Sequence, residues 1–293
     1  MKNTMGYGLN SFLDHDEPVR ILEHLMVGSE GTLGFVVEAT MRLERQPTNL
    51  TALVLGTPDF DSIMPVLHAF QDKLDLTAFE FFSDKALAKV LGRGDVPAPF
   101  ETDCPFYALL EFEATTEERA EQALATFEHC VEQGWVLDGV MSQSEQQLQN
   151  LWKLREYISE TISHWTPYKN DISVTVGKVP AFLKEIDAIV GEHYPDFEIV
   201  WFGHIGDGNL HLVALSRGAS VQPMALISAA VYETVRDFDG TISAEHGIGL
   251  LKKSYLGHTR SPQELALMRR LKAAMDPQGI LNPGKVFDME DKA

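Results

Sequence analysis

From Val200 to Val213 the chain reads Val-Trp-Phe-Gly-His-Ile-Gly-Asp-Gly-Asn-Leu-His-Leu-Val, and no other stretch limits the possible folds so tightly. Asp207-Gly208 favours a two-residue hairpin turn, because both positions want φ > 0. Centring the hairpin there pairs Gly206 with Asn209, Ile205 with Leu210 and His204 with His211. Directly opposed residues on one face hold their Cβ atoms about 4.5–5.5 Å apart, close enough for two imidazoles to share a divalent metal. Spacing alone serves equally well for two half-buried histidines that are hydrogen-bonded and inert.

A second cluster, Ser243-Ala244-Glu245-His246-Gly247-Ile248-Gly249, shifts the balance. Its glycines let backbone approach another group closely, and Glu245 beside His246 offers a ligand and a base. Two imidazoles with one carboxylate make a three-ligand site with open positions, the arrangement of a catalytic metal. His246 then remains for proton transfer. Read by itself, the cluster favours a helix-capping loop with an exposed glutamate over a catalytic one.

Arg155 supplies a third signal. In the helix expected from Ser144 to about Trp165, Leu148, Leu151, Trp152, Ile158 and Ile162 form one apolar stripe, and Arg155 projects from its middle near Ser159. A guanidinium there needs an anion. That anion is either an internal Asp or Glu or the carboxylate of a ligand held by a bidentate clamp. Lys169 is a second candidate carboxylate contact; otherwise it is simply solvated.

Strand and helix signals alternate along the rest of the chain. Strands are expected at 35–40, 52–55, 106–112, 136–141, 171–177 and 199–216, with helices at 60–74, after Phe112 up to Gly134, from Pro180 and at 223–238. Ser261, Pro262 and Glu264 spell a capping box for a last helix that ends at Pro277. This order suggests an α+β fold, an antiparallel sheet covered by helices.

Composition narrows function. Forty-three acidic against 24 basic residues give a formal net charge of −19, which repels nucleic acid and anionic membranes. No run approaches the ~20 apolar residues of a membrane span, and the opening MKNTMGYGLN lacks the apolar region of a signal peptide. Cys104 and Cys130 lie far apart without metal spacing. They suit buried thiols in a reducing cytoplasm.

The stretches LWKLREYISE, GHIGDGNLHL, TISAEHGIG and LMRRLKAAMDPQGILNPGKVF resemble the C-terminal domain of FAD-linked oxidases. Asn3-Thr4-Met5-Gly6-Tyr7 followed by GSEGTLG resembles the end of the FAD-binding domain in the vanillyl-alcohol-oxidase-like flavoproteins. Within that family SAEHG is most similar to D-2-hydroxyglutarate and D-lactate dehydrogenases. The resemblance implies a ferredoxin-like sheet and a divalent metal, zinc by expectation, held by His204, His211 and Glu245. It makes His246 the base and places Arg155, Ser159, Lys169 and Asn209 around the substrate. It lays Gly28, Ser29, Gly31, Gly34 and Asn282 along the flavin. It divides the chain into a flavin-domain remnant at 1–45, a substrate domain at 46–238 and a returning segment at 239–293.

The implied reaction is FAD-dependent oxidation of a small D-2-hydroxy acid to the 2-oxo acid, with a separate electron acceptor and a homodimer as the expected assembly. Two departures leave the acid open: Val213 stands where the D-2-hydroxyglutarate enzymes usually have Asn, and Ser159 where they have Thr. Only about 45 residues of a flavin domain are recognisable, so the chain is expected to be a fragment that binds FAD weakly or not at all alone. A flavin-independent zinc metallohydrolase and a catalytically silent hydroxy-acid-binding domain are the alternatives, and neither needs GSEGTLG.

Overall fold

The computed structural model describes residues 2–165, 167–216 and 222–289. Along the chain lie α1 (Ser11–Asp14), α2 (Pro18–Met26), β1 (Leu50–Thr57), α3 (Phe60–Gln71), β2 (Leu76–Ser83), α4 (Asp84–Leu91), β3 (Phe106–Glu113) and α5 (Glu117–Glu132). Then come β4 (Asp138–Met141), α6 (Glu145–Thr161), β5 (Tyr168–Ser173), α7 (Val179–His193), β6 (Phe197–His204), β7 (Asn209–Ser216), α8 (Gln222–Asp237) and α9 (Pro262–Met275). They fall into two compact units. One comprises 1–44, 171–173 and 232–293, and the other 45–170 and 174–231.

The larger unit is α+β, as the sequence suggests. Its strands, with only residues 168–170 of β5 belonging to this unit, run in the order β4-β1-β3-β2-β6-β7-β5, with β1/β3, β1/β4, β2/β3, β2/β6 and β6/β7 all antiparallel. Apolar residues alternate along the strands, so one face gathers Val54, Phe82, Leu109, Val200, Phe202, Val213 and Leu215 against Leu151, Leu154 and Ile158 of α6 and Ala86, Leu87 and Val90 of α4. Buried Glu111 is satisfied on this face by Thr77 Oγ1 and Trp152 Nε1, each at 2.7 Å. Helix α3 packs against α5 and α7.

Helix starts follow local chemistry. Asp59, Ser83, Thr116 and Ser144 each accept a first-turn backbone N–H, and Ser261 with Glu264 forms the expected capping box. The sequence reading missed β2 and α4 altogether. In β2, the adjacent apolar pairs Ala78-Phe79 and Phe81-Phe82 break the alternation that would have marked a strand. The strand expected at 35–40 does not form: Phe35, Val36 and Val37 are exposed in irregular backbone. An extended segment becomes a strand only when another supplies hydrogen bonds and covers its apolar face, and the described residues provide none there. The segment expected to continue as strand to Gly177 instead ends at Ser173 and turns into a short 3₁₀ helix at Val176–Lys178.

Cys130 is fully buried, and that burial pushes its thiol up to about 11. Since the thiolate is the reactive form, an aromatic disulfide reagent should leave Cys130 unmodified in the native protein and label it after denaturation. Rapid native labelling at Cys130 would contradict this packing.

Where β1 begins, Arg45 donates to Glu113 at 2.9 Å and the Thr48 N–H donates to the same carboxylate at 2.6 Å. Arg45 first and Thr48 second hold the Glu113 carboxyl down to about 2. A carboxylate depressed in the folded state stabilises the fold fully above its unfolded pKa, ordinarily 4.5 for this side chain. The stabilisation then fades as pH falls through about 2. Arg45→Ala should move the Glu113 titration upward toward 4.5, followed by carboxyl carbon NMR. An unmoved titration would show that Arg45 is not the cause.

Candidate active site

In the larger unit the hairpin places its histidines differently from the two-residue-turn expectation. The pairs are His204 with Asn209, Gly203 with Leu210 and Phe202 with His211. Residues 205–207 form a 3₁₀ turn and Gly208 alone takes positive φ, at 78°. Gly208 N–H closes on Ile205 O at 3.1 Å, and Asp207 accepts the Asn209 N–H at 3.2 Å. The loop is therefore two residues longer than the symmetric turn, because Asp207 caps the next strand instead of entering φ > 0. His204 and His211 become diagonal rather than direct neighbours. Diagonal positions still lie within reach of ring side chains, and the imidazole centroids are 5.5 Å apart with the rings nearly perpendicular.

A buried ion pair completes this cluster. Arg155, 8% exposed on α6, brings Nε to 2.9 Å from Oε2 of Glu80. That distance makes an ion pair, though the atoms are not aligned as a hydrogen bond. The other Glu80 oxygen lies 2.6 Å from His204 Nδ1. The Arg155 guanidinium also sits 4.8 Å over the Phe202 ring, whose centroid is 5.0 Å from that of His211. Of the two anions open to Arg155, the internal one is present. Nothing in the sequence reading singled out Glu80; the available signal was a lone carboxylate inside Ala-Phe-Glu-Phe-Phe.

The remaining expected substrate residues differ in exposure. Ser159, one turn beyond Arg155, and Lys169 are exposed. Asn209 is fully buried, and neither atom of its amide finds a hydrogen-bond partner among the described residues. A buried orphaned amide is costly and calls for explanation by a ligand or an ordered water. Val213 packs in the apolar core.

The smaller unit builds the second cluster. Asp171 Oδ2 accepts the backbone N–H groups of Glu245 and His246 at 2.8 and 2.9 Å and lies 3.5 Å from His246 Nδ1. Glu30 accepts those of Ile248 and Gly249 at 2.7 and 2.8 Å. Gly247 has φ +81°, and a Cβ there would meet Glu30 Oε1 at 2.7 Å, so a side chain is excluded twice over. Two carboxylates, rather than a following helix, fix this loop; the helix-capping reading is not what the structure shows. Glu245 and His246 are both exposed, with Lys2 Nζ 2.6 Å from Glu245 Oε1. Burial pushes Lys252 down against the pull of Asp171 and Glu30, and its ammonium donates to Asp171 O and Ser243 Oγ.

The same unit gathers the residues expected along a flavin. Asn282 Nδ2 donates to Glu30 O at 2.6 Å. Gly28 and Gly31 take φ of 76° and 70° in the half-buried loop, where a side chain would be strained. Lys272 Nζ ties this loop to the tail, donating to Thr32 O and Leu281 O at 2.7 Å each while pairing with Asp276. The Lys272 contact holds the Asp276 carboxyl below its usual range.

Comparison with known proteins adds the following. A family model described as FAD linked oxidases, C-terminal domain, matches residues 46–286. The chain is 81% identical over 271 residues to a D-2-hydroxyglutarate dehydrogenase of Stutzerimonas stutzeri (strain A1501), covering 91% of the chain and 58% of that relative. It is 34% identical over 270 residues to the mitochondrial D-2-hydroxyglutarate dehydrogenase of Bos taurus, covering 91% of the chain and 49% of the relative. The chain thus spans about half to three-fifths of the length of these relatives. Among solved structures, 4-ethylphenol oxidase from Gulosibacter chungangensis shares the fold at TM-score 0.60 and 13% identity, over 86% of this chain and 56% of that one. Among the described residues, no helix is long and apolar enough to cross a membrane.

Proposed function

We propose a function for this chain from the family it belongs to, that of the C-terminal domains of FAD-linked oxidases. Joined to a FAD-binding portion, it binds a D-2-hydroxy acid of the D-2-hydroxyglutarate or D-lactate type for oxidation to the 2-oxo acid. The observation that carries this reading is the imidazole pair, 5.5 Å between centroids, with one ring held by a buried carboxylate. Neutral imidazoles suit a borderline divalent ion, and we assign His204, His211 and Glu245 as ligands of zinc. Three protein ligands would leave a coordination position for substrate on such an ion. When bound, the metal supplies Lewis-acid polarisation of the substrate oxygens, and FAD supplies the hydride-accepting ring.

The chain's own residues do the rest. Arg155, Ser159, Lys169 and Asn209 hold the substrate carboxylates and hydroxyl, which fixes the attacking geometry. The orphaned amide of Asn209 supports its share in this. His246 takes the hydroxyl proton as the C2–H bond breaks. Asp171, on the Nδ1 side of that ring, orients it with Nε2 as acceptor. Gly28, Ser29, Gly31, Gly34 and Asn282 line the flavin, which makes 1–45 and 239–293 the flavin side and 46–238 the substrate domain. Two buried cysteines without a disulfide support a reducing cytoplasm.

Anaerobic mixing tests the reading. FAD titrated into the purified chain should give no tight one-to-one complex. The chain joined to a FAD-binding portion like that of its dehydrogenase relatives should bleach bound flavin on addition of D-2-hydroxyglutarate or D-lactate. Flavin that stays oxidised with both acids would refute the proposal. Zinc-dependent hydrolysis of esters or amides by the chain alone would favour the metallohydrolase instead.

A further inference from the structure

Glu80 lies in the middle of β2 between Phe79 and Phe81 and is 5% exposed. A carboxylate is retained in such a place only when charged or hydrogen-bonding partners replace its water. Each oxygen has one: His204 Nδ1 at 2.6 Å and Arg155 Nε at 2.9 Å. The register delivers the contact, since Phe81 pairs with Gly203 and Phe82 with Phe202, so Glu80 comes level with His204. Arg155 in turn lies over Phe202, whose ring neighbours that of His211. One buried carboxylate therefore touches the first histidine directly and, through Arg155 and Phe202, braces the side of the second.

A neutral imidazole beside a carboxylate carries its proton on the nearer nitrogen, which leaves the lone pair on the other. We propose that Glu80 is a positioning residue of the metal site: it holds His204 as the Nδ1–H tautomer, aims Nε2 as the ligand atom, and fixes Arg155 by its Nε edge. The inference rests on the reading of His204 and His211 as metal ligands. A Glu80–Arg155 pair that served stability alone would leave the tautomer and the metal affinity untouched.

Two measurements on the full chain test it. The first uses the metal-free, unaltered protein labelled with ¹⁵N at histidine, above the imidazole titration range. Two-bond ¹⁵N–¹H correlation should show the His204 proton on Nδ1; a dominant Nε2–H form would overturn the proposal whatever any variant does. The second is zinc affinity, by competition with a chromophoric chelator, for the unaltered chain, Glu80→Gln and His204→Ala. Glu80→Gln should bind zinc about 10–100-fold more weakly, with His204→Ala weaker still. Unchanged affinity in Glu80→Gln alongside loss in His204→Ala overturns the role of Glu80 and leaves the metal reading standing. Unchanged affinity in both overturns the metal reading and this inference with it. Should Glu80→Gln fail to fold by circular dichroism, the tautomer measurement decides.

Discussion

If the proposed function holds, replacing His246 with asparagine is expected to slow oxidation of the D-2-hydroxy acid by about 10²–10⁴-fold, the usual worth of a positioned general base. Asparagine keeps a similar size and polarity but cannot accept the hydroxyl proton at neutral pH. The loop backbone should stay in place, because it is Asp171 and Glu30 that accept its N–H groups, not the imidazole. Substrate affinity should therefore remain close to that of the unaltered protein. The measurement is the rate of anaerobic flavin reduction at saturating substrate in the chain joined to a FAD-binding portion and loaded with flavin. Reduction at an unaltered rate would remove His246 from the chemistry. A weakened affinity with unchanged maximal rate would make it a binding residue only.

Loss of either histidine proposed as a ligand should have an effect of comparable size on metal content. His204→Ala and His211→Ala are each expected to lose bound zinc under dialysis that leaves one zinc per chain in the unaltered protein. The fall in affinity should exceed the about 10–100-fold typical for removing an outer partner of a ligand. His211 is half-buried beside Phe202, so its removal also trims packing. His211→Gln, similar in bulk, controls for that by keeping the volume while removing the imidazole. Retention of stoichiometric zinc by these variants would move the site elsewhere.

How much of this was legible before the structure depends on the range of the interaction. Ser261 and Glu264 sit three residues apart, and the capping box they spell is present in full. The apolar stripe of α6 and the odd place of Arg155 within it were also readable, since both are local periodicity. The partner of Arg155 was not, because Glu80 lies on another strand far up the chain and only the β2/β6 pairing brings it in. The hairpin was half legible. Its existence followed from Gly208, but its register turned on whether Asp207 would adopt positive φ or cap Asn209, a balance between local options that letters do not settle. Residues 35–40 carry strand-like letters without strand structure, because a strand is a property of a pair. Glu30 and its grip on the Gly247 loop also escaped the reading: a glutamate inside a glycine-rich loop looks solvated until the distant backbone it holds is known.

X-ray absorption at the zinc K-edge, on the chain loaded with one equivalent of zinc, tests the assigned centre most directly. Two imidazole nitrogens at about 2.0–2.1 Å with carboxylate or solvent oxygen in the remaining positions are expected, falling to one imidazole in His211→Gln. A spectrum dominated by sulfur or by oxygen alone, or one unchanged by that substitution, would contradict the account.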